Sequence, residues 1–295
     1  MSSLKRKYMS LSGIEVANLS EAEMKLQAKQ ILDNKIHGIS FSPYGEGQKP
    51  GDEVTAEAIN ERLSVIADKV GWIRCFSTTR GNEQIPSLAK AKGLKTLVGA
   101  WLDDDLENNE KEIENLIELG RQGLVDVAAV GNEVLLREEL TEDQLIDYIQ
   151  RVQAALPGIE VGYVDAYYEF EDHPKITEQC DVILANCYPF WEGCALEYSI
   201  IYMKDMFRRA TKAANGKRVI ITETGWPDQG PNEWGAVPSE LNAIKYFVGT
   251  YQWADEDNID VFYFSAFDEK WKVKDEGGVG AHWGLWHANG DYKFD

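Results

Sequence analysis

What most constrains this chain is a regular alternation of two kinds of segment. Eight short runs rich in β-branched and aromatic residues recur along it: 36–43 (IHGISFSP), 72–77 (WIRCFS), 95–102 (KTLVGAWL), 125–132 (VDVAAVGN), 160–166 (EVGYVDA), 180–188 (CDVILANCY), 218–223 (RVIITE) and 260–267 (DVFYFSAF). Most are continuously apolar, the mark of parallel strands covered on both faces. Longer amphipathic segments separate most of them, at 54–70, 82–92, 108–120, 141–155, 195–214 and 238–255. Repeated strand–helix units predict a closed (β/α)8 barrel. The 295 residues suffice, since such barrels typically need ~250. An open doubly wound sheet would want a glycine-rich phosphate turn after its first strand, and Tyr44-Gly45-Glu46-Gly47 leads into none. No repeat or low-complexity linker divides the chain. A single domain is expected, with residues 1–35 as a polar lead-in and helix and 36–295 as the barrel.

Local signals fit this reading. Ser20 stands three residues before Glu23, a capping-box spacing. Thr55, Asn109 and Thr141 read as helix starts, and Gly93, Gly120 and Gly216 as stops. The stretch YYEFEDHPKITEQ, between the fifth and sixth strands, has a weaker pattern.

Charge narrows the partners. Fifty acidic residues against thirty basic ones give a net charge of −20. Such a field repels phosphate backbones and anionic surfaces, so nucleic acid is disfavoured and a neutral polymer suits better. The same charge also serves solubility. The four cysteines (75, 180, 187, 194) form no CxxC pair, and the four histidines share no spacing, so neither metal nor cofactor is expected. Cys187 and Cys194 are near enough in sequence to bridge. Asp103-Asp104-Asp105 lacks the spaced ligands and glycine of a calcium loop and reads as a solvated turn. No run reaches the ~18 apolar residues of a membrane span. The start, MSSLKRKYMSLSG, has no apolar leader core, so the protein is expected to be cytoplasmic or to have lost a secretory leader. A monomer is expected.

Barrel sites form at the C-terminal strand ends, so the acids placed there matter most. Glu133 ends the fourth strand (VGNEVL), Glu223 ends the seventh (ITETGWP), and Glu269 follows the eighth (FSAFDEKWK). An acid directly after an apolar strand carries a desolvation penalty, so their convergence on one mouth points to chemistry. Glycoside hydrolysis needs such a pair, one carboxyl protonating the leaving oxygen and the other attacking or activating water. Arg74, inside the second strand, is expected to pair with a barrel acid and to orient Glu223. No Ser, His and Asp set stands at strand ends, which disfavours acyl transfer.

These motifs resemble glycoside hydrolase family 17, a family of β-1,3-glucanases. ITETGWP (221–227) is similar to its nucleophile signature and VGNEV (130–134) to its acid/base signature. FSAFDEKWK (264–272) resembles its eighth-strand segment, and HWGLW (282–286) resembles the segment next along the chain. The resemblance spans about Gly38 to Leu285. It implies a retaining enzyme with Glu223 as nucleophile and Glu133 as acid/base. It further implies that Asn132 binds the sugar 2-hydroxyl, Tyr44 hydrogen-bonds the nucleophile, and Glu269 and Lys272 hold ring hydroxyls. One departure is Gly280, where the resemblance leads one to expect an acid.

Sugars stack on aromatic faces, and this chain supplies many. Trp191, Trp271 and Trp283 are the leading candidates for stacking. Tyr188, Phe190 and Trp226 are expected beside the pocket, while Trp72 and Trp253 read as packing residues. The expected substrate is a neutral β-glucan such as laminarin. Transglycosylation on the same two glutamates is the alternative, and a non-catalytic glucan-binding barrel is a third reading.

Overall fold

A computed structural model describes residues 19–295 and contains all eight strands in one closed parallel barrel, ordered as in the sequence. The elements are α1 (Glu21–Asp33), β1 (Ile36–Ser40), α2 (Ala56–Ile66), β2 (Val70–Cys75), α3 (Ile85–Ala91), β3 (Lys95–Ala100), α4 (Leu106–Arg121), β4 (Val127–Asn132) and α5 (Glu142–Ala155). They continue with β5 (Glu160–Ala166), α6 (Glu169–Asp172), α7 (Pro174–Gln179), β6 (Val182–Asn186), α8 (Leu196–Ala213), β7 (Arg218–Thr224), α9 (Glu240–Asp257), β8 (Val261–Tyr263) and α10 (Val273–Glu276). β8 is shorter than the apolar run that predicts it. Beyond Tyr263 the run leaves the ladder, through a cis peptide between Phe264 and Ser265. The weakly patterned stretch forms the two short helices α6 and α7.

The continuous apolar runs are explained by two separate cores. Leu97, Val127, Ala129, Val164, Val182, Leu184, Ile220 and Phe262 fill the barrel interior. The outward side chains of the same strands pack beneath the helices. Glycine fits the interior where a neighbour intrudes: a Cβ on Gly38 would lie 2.5 Å from the Phe262 ring.

Helix ends follow the predicted capping with two exceptions. Ser20 with Glu23 forms a full capping box, and Thr141 forms one with Gln144. Thr55 caps α2. The cap of α4 is Asp105 rather than Asn109, which lies buried inside the helix and binds the Asp103 backbone. Gly120 also lies within α4, packed against Leu156, and the left-handed turn falls at Gly123 instead.

The wall of the barrel has an unexpected member. Only the one-turn α10 follows β8, while α1, which precedes β1, packs on α9 and buries Met24, Ala28 and Leu32. The helix assigned to the lead-in therefore covers the barrel, and the lead-in before it lies outside the described residues. All four cysteines are free, so Cys187 and Cys194 form no bridge. No helix of the described residues is long and apolar enough to cross a membrane.

Candidate active site

The two glutamates reach one cavity by irregular backbone. Glu133 follows β4 at φ 51, after Gly131 at φ 82, where the β4–β5 register shifts. Its N–H donates to the Val164 carbonyl at 2.8 Å. A non-glycine residue in the left-handed region is uncommon, and such strain clusters at functional sites. The phenol of Tyr163 braces this turn by accepting from the Leu135 N–H at 2.9 Å and donating to Asp165. Glu223 lies near the end of β7, where both neighbouring ladders slip register.

Both carboxylates line a cavity of about 300 Å³. Leu136, Ala166, Tyr167, Tyr168, Asn186, Tyr188, Trp191, Glu192, Phe264 and Glu276 complete its wall. The buried Arg74 donates to Glu223 Oε1 and to Asn132 Oδ1, each at 2.5 Å, which meets the expectation that it orients Glu223. Tyr188 donates to the other oxygen of Glu223 at 2.7 Å. The carboxylate is thus held in a fixed plane with an opposite charge against it. Glu133 receives one hydrogen bond, from Asn186 Nδ2 at 2.8 Å, and Thr222 fixes that amide by donating to its oxygen at 2.9 Å.

The electrostatics act on Glu133. Burial, reinforced by the charge of Glu223, pushes Glu133 up from 4.5 to about 7 against the opposing Asn186 bond. A fraction of Glu133 therefore still carries a proton near neutral pH, a condition that a general acid must meet.

A third carboxyl, at Glu276, enters the same cavity. Burial is again the main cause that raises it to about 7, with Glu223 and Glu269 adding and Lys272 opposing. The indole N–H of Trp283 is near enough to offset part of this rise, yet neither that N–H nor Glu276 Oε2 closes a hydrogen bond. The family resemblance leads one to expect an acid at position 280, which is a glycine. A Cβ there would stand 2.6 Å from the Lys272 carbonyl, so only glycine fits, and the third carboxyl of this cavity is carried by the end of α10.

The remaining predicted residues divide. Glu269 and Lys272 form a buried ion pair, with Trp271 Nε1 donating to Glu269 at 3.0 Å. The Lys272 ammonium lies 4.0 Å above the Phe264 ring, which links this pair to the cavity wall. Tyr44 does not touch Glu223. Its oxygen accepts from Asn82 at 3.3 Å, and Tyr188 makes the bond expected of it. Phe190, Trp226 and Trp283 are buried and form no part of the cavity lining. Phe190 and Trp283 back Tyr188 and Trp191 edge-on or tilted, while Trp226 packs on Phe190 and Tyr246. Trp191 does line the cavity. Tyr167, Tyr168, Asn186 and Glu192 were missed. The two tyrosines directly follow the fifth strand, a position that sequence alone could have ranked.

One set among the described residues, Asp228, Asp268 and His282, is close enough to share a cation. The buried Lys293 ammonium already lies 2.6 Å from Asp268 and 3.0 Å from Asp228, so a side chain supplies that positive charge. The cluster ties the C-terminal segment to the barrel.

A parallel barrel whose mouth holds one carboxyl raised toward neutrality and one held by an arginine has the features of a barrel glycoside hydrolase. Residues 38–284 match the BtgE/BtgC glycoside hydrolase domain. The chain is 32% identical over 229 residues to a glucan 1,3-beta-glucosidase of Arthroderma benhamiae, covering 70% of this chain and 73% of that one. It superposes on an active-site mutant of the Rhizomucor miehei beta-1,3-glucanosyltransferase, in complex with laminaritriose, with TM-score 0.79, 28% identity and coverage of 88% and 96%. An endo-laminarinase from Formosa Hel1_33_131 shares the fold, with TM-score 0.75, 21% identity and coverage of 88% and 85%. The chain belongs to glycoside hydrolase family 17.

Proposed function

We propose that this enzyme hydrolyses β-1,3-linked glucan chains or oligosaccharides by double displacement with retention. The observation that carries the reading is the pair on one cavity wall: Glu133 raised to about 7 and Glu223 held between Arg74 and Tyr188. In the first step Glu223 attacks the anomeric carbon while Glu133 gives its proton to the departing glycosidic oxygen. The carbon–oxygen bond breaks and a glycosyl ester forms on Glu223. In the second step Glu133, now a carboxylate, takes a proton from water as that water attacks the same carbon and releases Glu223. Asn132 is assigned to the sugar 2-hydroxyl, and Glu269, Lys272 and Glu276 to ring hydroxyls beside it. Tyr167, Tyr168 and Trp191 supply apolar faces for the neighbouring sugars. The barrel of residues 36–295, closed by α1, is the catalytic unit, acting as a monomer without metal or membrane insertion.

The test combines a variant with a product analysis. Glu223→Gln should abolish turnover of laminari-oligosaccharides, and NMR of the wild-type reaction should find the β-anomer first. Turnover retained by the variant, or an α-anomer formed first, overturns the mechanism.

Transfer to a second sugar is favoured as an additional outcome by one observation, the presence of Tyr167, Tyr168 and Trp191 in the cavity wall together with Glu133. The structurally similar Rhizomucor miehei protein is itself a glucanosyltransferase. An acceptor sugar held there would take the place of water in the second step. Mass spectrometry at high oligosaccharide concentration distinguishes the two, since only transfer makes products longer than the substrate.

A further inference from the structure

The cavity accounts for Trp191 but not for the aromatic side chain beyond it. Trp234, in the loop between β7 and α9, is 88% exposed, the most exposed large apolar side chain among the described residues. A lone exposed residue on a floppy loop would need no explanation. Trp234 is not of that kind. Its backbone sits at φ 47, a region bulky residues seldom adopt. A tight pair of bonds locks it there: the Glu233 N–H donates to the Ala236 carbonyl at 3.0 Å and the Ala236 N–H donates back at 2.8 Å.

The same turn is fastened to the cavity wall. The Gly235 N–H donates to the Gly193 carbonyl at 3.0 Å. Both glycines are required for this approach. A Cβ on Gly193 would stand 2.7 Å from the Trp234 Cβ, and one on Gly235 would stand 2.9 Å from the Gly193 oxygen. Gly193 comes directly after Trp191 and Glu192, which line the cavity. Trp191 is itself 38% exposed at the cavity lip. Two indoles therefore stand on two clamped loops, one at the lip and the next outside it.

We propose that Trp234 is the stacking platform of a distal subsite, which receives a neutral β-linked glucan chain as it leaves the cavity past Trp191. The occupant is dictated by chemistry. A sugar ring offers an apolar C–H face to an indole and needs no counter-charge. Glu192, Glu197 and Glu233 lie in the two loops and the adjoining helix start, and the whole chain carries −20, so an anionic ligand is disfavoured. A polymer longer than the cavity must cross its rim, and a rigid aromatic costs little ordering when it binds. This inference rests on the glucanase reading above.

The experiment measures kcat/KM for laminari-oligosaccharides of increasing length in the wild type, Trp234→Ala and Trp234→Phe. In the alanine variant, the preference for the longest over the shortest substrate should fall roughly 3- to 10-fold, through KM, as expected for loss of one aromatic contact. The phenylalanine variant should recover most of it. An unchanged length preference, or an equal loss at every length, overturns the platform. So does a wild-type dimer in sedimentation that Trp234→Ala abolishes, since the occupant would then be a second copy of the chain. A wild type that turns over no laminari-oligosaccharide of any length removes the glucanase reading and the platform with it, whereas the other outcomes leave that reading standing.

Discussion

Two regions of this barrel bury carboxylates, and they treat them in opposite ways. Glu112, on α4, is buried and wrapped by donors. Ser77 and Thr79 donate to one oxygen at 2.5 and 2.7 Å, and the backbone N–H groups of Thr78 and Trp101 donate to the other at 2.7 and 3.2 Å. At the barrel mouth Glu133 receives a single protein donor, and Glu276 Oε2 receives none. Burial alone therefore does not mark the site. A carboxylate whose hydrogen bonds are all made by the protein ties β2, β3 and α4 together. One left with open lone pairs waits for a substrate hydroxyl or a proton.

The sharpest way to break this contrast is at Glu133. Its replacement by Gln keeps the shape and removes the proton. Turnover of laminari-oligosaccharides should fall about 10²–10⁴-fold, the range for loss of a general acid. An aryl glycoside with a good leaving group needs little protonation and should lose far less in the glycosylation step. Equal losses on both substrates would show that Glu133 does something other than protonate the leaving oxygen.

The matching change at Glu112 should give the reverse pattern. Glu112→Ala leaves the Thr78 and Trp101 N–H groups buried without an acceptor, a cost of about 3 kcal/mol. A lower denaturation midpoint, with kcat of the folded enzyme nearly intact, is the expected result. Lost activity at unaltered stability would erase the distinction drawn between the two regions.

How much of this was legible in the sequence depends on distance along the chain. The strands, most helix starts and both principal glutamates were readable because each is written in a few consecutive residues. Partners across the barrel were not, apart from Arg74 and Glu223. Tyr44 and Tyr188 both follow strands, and the choice between them as neighbour of Glu223 depends on how far the ends of β6 and β7 slip past one another, at the irregularity after Ala185. Glu276 was missed for a related reason. Its neighbour Gly277 turns at φ 67, and the chain beyond packs Gly280 against the Lys272 backbone, so the acid enters upstream of where a motif places it. Exposure was also hidden. Nothing local says that Trp226 and Trp283 face the core while Trp234 faces water.

A smaller effect concerns pH. Glu133 and Glu276 rise from 4.5 to about 7 in the folded chain, chiefly through burial, and Asp165 rises from 3.8 to about 6 for the same main reason. The folded state thus binds these protons more tightly than the unfolded state does. Their contribution is fully present below the unfolded values of 3.8 and 4.5, and it is lost progressively from there until pH has passed through the folded values of about 6 to 7. Stability from these groups should decline over that window and level off above it. Glu276→Gln should flatten the slope by about 1–2 kcal/mol across the window. A slope unaffected by Glu276→Gln would mean that its carboxyl titrates alike in both states.

The smallest expected effect tests which tyrosine serves Glu223. Tyr188 is buried beside Glu223, and burial with that charge holds its phenol well above its ordinary range, so it donates and does not ionise. Tyr188→Phe removes one of the two side chains that fix the Glu223 carboxylate and leaves Arg74 in place. The loss should be about 1–1.5 kcal/mol, near tenfold in kcat/KM. Tyr44→Phe removes a hydroxyl whose bond in the structure is a 3.3 Å contact with Asn82, so kcat/KM should stay within about twofold of the wild type. Part of the Tyr188 loss should appear in kcat, because a tilted carboxylate misaligns attack more than it weakens binding. If Tyr44→Phe proves the more damaging, Glu223 faces the first strand during turnover, and the hydrogen bond to Tyr188 belongs to the resting enzyme alone.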